Sequence, residues 1–217
     1  VAARSSRSFA LCEASLMRPF IGISGLIGAG KSTLASKLAS AFDVPLYKEP
    51  VEENEYLSSF YGNPEKFGFA MQIYLLSFRF EAHQNLVWQR RGGVQDRTIY
   101  EDAVFAKTLY RQGLMSELDF RTYQRLAENM FSFLYEPDII VHLEVTPEKA
   151  MERIKERGRE SEQGIPLEYL QLLNRGYEEL LEQRQKRVRI LRLDWGEFQP
   201  VEDVVSEITK RLDLREL

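Results

Sequence analysis

Five short apolar runs alternate with longer stretches of helical periodicity along this chain. Ile21 and Ile23 lie in the first run. Residues 44–47, 139–143 and 189–193 supply others of a length that suits a short strand, and Val94-Gln95 could end a further one. The spacing predicts helices over about 32–42, 64–89, 101–111, 116–135 and 166–187, another opening at Thr146-Pro147, and a last one from about Val201. Threonine suits a helix cap and proline the first turn. Strands that alternate with helices imply a parallel sheet covered on both faces. The expected fold is therefore α/β, built on a five-stranded parallel sheet. No repeat, linker or second domain interrupts residues 19–217, which read as one domain.

The helix over 64–89 is apolar nearly all round, with Phe67, Phe69, Met71, Ile73, Tyr74, Leu75, Leu76, Phe78 and Phe80. Such a helix is buried, by its own domain or by a partner subunit. Gln72 and Arg79 interrupt it seven positions apart, so they point the same way. A buried guanidinium is costly unless paired. Either Arg79 meets an internal carboxylate or this stripe faces a polar ligand. His83 reads as a helix-surface or interface residue, Tyr61 as loop packing, and His142, inside the fourth run, as a core histidine.

Composition narrows the class. The 217 residues suit one domain with a good-sized core. A net charge of −4 and a pI near 5.5 argue against nucleic acid as a partner. No apolar run approaches the ~20 residues needed to cross a bilayer, so no membrane partner is expected. The single cysteine, Cys12, offers neither an internal disulfide nor a metal cluster, which points to a reducing compartment, the cytoplasm. Residues 1–18 carry Arg4, Arg7 and Arg18, four serines and only Glu13 as an acid. They read as an N-terminal extension, a flexible tail or a segment with some transit-peptide character, so organelle import stays open.

The strongest chemical signal follows the first strand. Gly25-Leu26-Ile27-Gly28-Ala29-Gly30-Lys31-Ser32 matches G-x-x-x-x-G-K-[ST], and Ser32-Thr33 opens an Ala/Leu-rich helix. Strand, glycine loop and helix form the context that makes this pattern a phosphate site. The glycines let backbone N–H groups converge, and the helix N-terminus favours negative charge. Lys31 is expected to reach the outer phosphates of a nucleoside triphosphate, with the Ser32 hydroxyl on Mg²⁺.

Other candidates follow the strands. Open parallel sheets place ligands beyond the carboxyl ends of their strands. Glu49, after the second run, is therefore placed to be catalytic, and Pro50 would hold its backbone extended. Asp96 and Arg97, after the third, could serve magnesium and phosphate or form a structural salt bridge. Arg153 and Arg157 lie one turn apart, with Gly158 and Arg159 following. Residues 147–163 hold five basic and five acidic side chains, so no bulk basic patch exists there.

From about Phe20 to the C-terminus these pieces resemble the deoxynucleoside kinase family. Besides the glycine loop, the resemblance rests on Lys48-Glu49-Pro50-Val51-Glu52-Glu53-Asn54, Gln72-Ile73-Tyr74 with Arg79, Asp96-Arg97-Thr98, and Arg157-Gly158-Arg159 leading into Glu162-Gln163-Gly164-Ile165-Pro166-Leu167-Glu168-Tyr169. The Glu-Asn after Glu-Pro-Val and the Asp-Arg-Thr are similar to the deoxyadenosine kinase branch. The resemblance implies a P-loop kinase fold with an arginine-rich lid, an ATP donor with Mg²⁺, and transfer to the 5′-hydroxyl of a deoxynucleoside. Glu49 is then the general base, Arg97 holds the hydroxyl region, and Asp96 supports magnesium directly or through water. Tyr61 and Glu162 bind the sugar 3′-hydroxyl. Gln72 reads the base edge, with Arg79 and Asp102 as a polar pair beside it. Arg153, Arg157 and Arg159 form the lid, and the loop at 194–198, with Glu197 and Phe198, borders the donor adenine.

The polar set Gln72, Arg79 and Asp102 suits adenine, guanine or cytosine and disfavours thymine. Branch resemblance selects deoxyadenosine, with deoxyguanosine and deoxycytidine behind it. Asp102-Ala-Val-Phe105 is one residue shorter than the matching stretch of some animal relatives. The family usually forms dimers through helices like those at 67–89 and 116–135, so a homodimer or a larger homo-oligomer is expected. Two rivals differ in chemistry: a nucleoside monophosphate kinase, such as a thymidylate kinase, would need cations where Glu49 stands, and a nucleotide-dependent switch would need no base.

Overall fold

The structure, a computed structural model, describes residues 18–49, 54–162 and 164–212. Five strands form one parallel sheet: β1 (Phe20–Gly25), β2 (Leu46–Tyr47), β3 (Gly93–Asp96), β4 (Ile139–Glu144) and β5 (Arg189–Asp194). Their order across the sheet is β2-β3-β1-β4-β5, every pair parallel. Central β1 is buried along its whole length and β4 nearly so, which explains their unbroken apolar runs. Among the described residues the helices are α1 (Lys31–Ala41), α2 (Leu57–Gly62), α3 (Pro64–Gln89), α4 (Asp102–Arg111), α5 (Glu117–Phe131), α6 (Pro147–Arg157), α7 (Leu167–Arg184) and α8 (Val201–Arg211).

Local chemistry explains most boundaries. Asn63 and Thr146 accept from the backbone N–H of Lys66 and Lys149, and a proline opens each helix, α3 and α6. Strand β2 is shorter than the apolar run over 44–47. The Val44 N–H is taken by Ala39 O, and Pro45 has no N–H to give the ladder. Helix α5 ends at Phe131 rather than near 135, tightening into turns at Phe133 and Leu134 before Pro137 restricts its neighbour. The six-residue α2 has no expectation behind it, because Leu57-Ser-Ser-Phe-Tyr-Gly62 is too short to show a period. Among the described residues no helix is long and apolar enough to cross a membrane.

Two hydrophobic cores meet beside the sheet. One spans the strands, α1, α6 and α7, with Ile21, Ile23, Leu38, Val141 and Leu170. The other lies among α2, α3, α4 and α5, with Leu76, Ile99, Leu109 and Tyr123. His83 belongs to the interior, not to a surface. It is fully buried, packs edge-on against Phe20, and donates to the Tyr135 carbonyl at 2.8 Å. The apolar circumference of α3 hides why: its sequence carries no polar face to mark an outside. Because all strands run one way, the segments after β1, β2, β3 and β5 leave the same edge of the sheet.

Candidate active site

A cavity of about 250 Å³ opens at that edge, between the two cores. One wall is the glycine loop. Gly25, Gly28 and Gly30 all have positive φ, and a Cβ on Gly28 would lie 2.6 Å from the Ala150 carbonyl oxygen. Gly28, Gly30, Lys31, Ser32 and Thr33 line the cavity together with Ile27, whereas Gly25, Leu26 and Ala29 form the turn behind it. Lys31 is buried, and its ammonium donates to Leu26 O at 2.7 Å. Burial, then the Arg97 charge, lowers its pKa to about 7, against the opposing pull of Asp96, Glu49 and Glu101. A triphosphate beside it would supply the missing counter-charge.

Glu49 faces this loop across the cavity. It is four-fifths buried and accepts from Arg79 Nη2 at 2.6 Å and from Arg97 Nε at 3.1 Å. Burial disfavours its charge, but Arg97, Arg79 and Lys31 together outweigh that and hold the carboxyl at about 2. Glu49 is thus ionised at any working pH. Pro50, assigned to steady it, lies outside the described residues, as do Val51, Glu52, Glu53 and Gln163.

Of the two open alternatives for Arg79, the internal carboxylate is the one the structure shows, and the stripe also borders the cavity. Arg79 and Gln72 are each 2% exposed, both line the cavity, and the guanidinium meets Glu49 and the wholly buried Asp102. Asp102 stands behind Arg79 rather than in the cavity wall. The Gln72 Oε1 is buried with no hydrogen-bond partner among the described residues. Tyr61, Tyr169 and Glu162 complete the far side, with Phe105, Phe60, Met71 and Leu75 as apolar panels. Burial, then Tyr169 and the carboxylates Glu162 and Glu49, pushes the Tyr61 hydroxyl well above its ordinary range.

Asp96 ends β3 and is 3% exposed. Its Oδ2 accepts from the Ser32 hydroxyl at 2.5 Å, while its Oδ1 has no hydrogen-bond partner among the described residues. Both residues border a second cleft that adjoins Glu49 and Arg159. No group of three or more His, Cys, Asp or Glu side chains that could hold a metal occurs among the described residues.

The arginines after β4 divide. Arg157 and Arg159 line the cavity and both pair with Glu162, the second at 3.4 Å. Arg153 does not reach it. Its guanidinium donates to Ala29 O, Trp195 O and Gly196 O and stacks 4.3 Å over the Phe198 ring. This latches the loop after β5 onto the glycine loop, where a Cβ on Gly30 would meet Phe198 at 2.9 Å. Glu197 is exposed, with Lys149 4.0 Å away.

Two residues at the site have no counterpart in the sequence reading. Glu101 and Tyr177 are buried behind Arg97, Glu101 accepting from its Nη1 at 3.2 Å and Tyr177 from the same nitrogen. Glu101 was findable, since Thr98-x-x-Glu101 has capping-box spacing and Oε1 accepts from Thr98 N at 3.0 Å. Tyr177 was not, because an aromatic within a helix reads as packing.

Comparison with known proteins places the chain in a family. Residues 21–213 match the sequence model of the deoxynucleoside kinase family. The chain is 49% identical to a deoxyadenosine kinase of Dictyostelium discoideum over 89% of its own length and 79% of that protein. It is 35% identical to a deoxyguanosine kinase of the same organism, over 86% and 67% of the two chains. The structure of a deoxyadenosine kinase from M. mycoides with bound dATP superposes with a TM-score of 0.80 at 32% identity, covering 88% of this chain and 99% of that one. A glycine cradle, a carboxylate facing it and a matched sequence over nearly the whole fold lead to one assignment: this chain is a member of the deoxynucleoside kinase family.

Proposed function

We propose that the protein transfers the γ-phosphoryl group of ATP to the 5′-hydroxyl of deoxyadenosine. The observation that carries this reading is a single cavity lined both by Lys31, Ser32 and Thr33 of the glycine loop and by Glu49, Gln72, Arg79 and Arg97. Donor phosphates and a nucleoside acceptor would meet there. At about 250 Å³ the cavity lies just below the ~300–1,000 Å³ typical for drug-sized ligands, which suits a nucleoside.

Each side chain has a task in that reaction. The glycine loop and Lys31 hold the donor's outer phosphates. A 5′-hydroxyl is too weak an acid to ionise first, so Glu49 takes its proton as the new P–O bond forms, a contribution of about 10²–10⁴. Arg97 and Arg79 fix the Glu49 carboxylate, and Arg157 and Arg159 turn from Glu162 toward the phosphates as a lid. Tyr61 and Glu162 take the sugar 3′-hydroxyl. Ser32 and Asp96 Oδ1, which has no hydrogen-bond partner among the described residues, are suited to hold Mg²⁺, an ion that usually takes one or two protein oxygens besides phosphate and water. When bound, the ion offsets charge on the transferring phosphoryl group.

Gln72 Oε1, without a hydrogen-bond partner among the described residues, suits a base with an amino group, as adenine has. An amide side chain can accept from the N6 amino group of adenine while donating to N7, as it does in nucleic-acid recognition. The deoxyadenosine kinase of Dictyostelium discoideum, at 49% identity against 35% for that organism's deoxyguanosine kinase, supports the same choice. A pair of subunits joined through α3 and α5 would cover the half-buried Phe67, Phe69 and Phe80 and the exposed Leu118. The deciding assay gives the purified protein ATP, Mg²⁺ and each of the four deoxynucleosides, then their monophosphates. Preferred turnover of deoxyadenosine is expected. Equal turnover of nucleoside and monophosphate would replace this reading with a nucleoside monophosphate kinase.

A further inference from the structure

Glu101 and Tyr177 lie outside the cavity wall, yet they hold the residue that holds Glu49. Arg97 stands at φ 66°, a left-handed conformation unusual for a side-chain-bearing residue, with its backbone N–H on Ile23 O at 3.0 Å. Its guanidinium is 2% exposed. Nη1 donates to Gly25 O at 3.0 Å, to Glu101 Oε2 at 3.2 Å and to the Tyr177 hydroxyl. That hydroxyl in turn donates to Glu101 Oε2 at 2.9 Å, and Glu101 Oε1 is tied to Thr98 N. The two N–H bonds of Nη1 are shared among these three acceptors, and Nε is the atom presented to Glu49. A strained backbone persists only where its surroundings over-determine it, and here three elements do so: the turn after β3, the end of β1, and α7.

We infer that Glu101 and Tyr177 are positioning residues for phosphoryl transfer, fixing the Arg97 guanidinium so that a single N–H, rather than its full fork, engages Glu49. The inference rests on the roles of Glu49 and Arg97 proposed above. Without Glu101, the guanidinium loses its second counter-ion and is free to turn both forks onto Glu49. A carboxylate gripped by a second N–H of Arg97, on top of the present bonds from Arg79 Nη2 and Arg97 Nε, is a poorer proton acceptor and is misaimed toward the hydroxyl. A misplacement of about 1 Å at a reacting group can cost about 10²-fold in rate.

The isosteric Glu101→Gln keeps an acceptor for Thr98 N but sets an amide N–H₂ against the Arg97 donors. Tyr177→Phe removes one oxygen and leaves the packing. Steady-state kinetics on the full chain with ATP, Mg²⁺ and deoxyadenosine should show kcat lowered about 10- to 100-fold in Glu101→Gln and about 3- to 10-fold in Tyr177→Phe, with KM for ATP within about twofold of wild type. A purely structural role would lower the melting temperature without this split. In an Arg97→Lys background the Glu101→Gln change should add less than about threefold, because residues that act through one another are non-additive. Full additivity there, or wild-type kcat in both single variants while Glu49→Gln is inactive, overturns the positioning role alone. Activity retained in Glu49→Gln overturns the base assignment and this inference with it. Should Glu101→Gln fail to fold, the Tyr177→Phe result decides.

Discussion

Glu49 shows how one side chain's chemistry depends on its neighbours. Two arginines and a lysine hold its carboxyl at about 2, so it never lacks the charge to accept a proton, but its affinity for one is low. Replacing it with Gln is expected to lower kcat about 10²–10⁴-fold while ATP still binds, measured by steady-state turnover beside calorimetric titration with a non-hydrolysable ATP analogue. The two histidines make a prediction about stability. His142 is held neutral, first by burial and then by Arg192, with its pKa down at about 3, and burial lowers His83 as well. Between about 3 and the ordinary 6.5 the unfolded chain binds a proton at His142 that the folded chain refuses, and His83 acts in the same direction. Their neutral pairing therefore favours the folded state above pH 6.5, and stability falls as pH drops below it. His142 contributes a slope of up to about 1.4 kcal/mol per pH unit over that window. Urea unfolding from pH 7.5 to 5 should show the decline, and His142→Asn should flatten it.

At the level of elements, the glycine loop was legible because its constraint is local. Three close glycines before Lys-Ser, flanked by a strand and a helix, leave little else for the backbone to do. Gly28→Ala tests the loop's dependence on that geometry. The new Cβ would meet the Ala150 backbone oxygen at 2.6 Å from a residue at φ 82°, and neither can move cheaply. ATP affinity should fall at least tenfold by calorimetry, with a lower melting temperature. The Thr146 cap and Pro147 likewise marked where α6 begins. What escaped the sequence was an element below the length of one clear period, α2, and the division of labour among the arginines. Arg153 shares a helix with Arg157, yet it latches the loop after β5 while its neighbour reaches the cavity. Spacing along a helix says which way a side chain points, not which backbone carbonyls wait there.

For the whole molecule, the outer face of α3 remains only half covered by its own chain, and on α5 Leu118 is 76% exposed. The dimer proposed above predicts a light-scattering mass about twice the 25.3 kDa chain. Leu118→Asp should shift it toward one copy. A monomer at micromolar concentration would refute the arrangement. The sequence by itself determined the α/β alternation, the phosphate cradle and the strand end on which Glu49 stands, because sterics and hydrogen bonding between near neighbours decide those features. Only the tertiary structure decided which charges meet. Glu49 finds Arg79 and Arg97 from 30 and 48 positions away, and Tyr177 finds Glu101 from 76. The strand order β2-β3-β1-β4-β5 makes those meetings, and no periodicity along a chain encodes the sum of long-range packing that selects it.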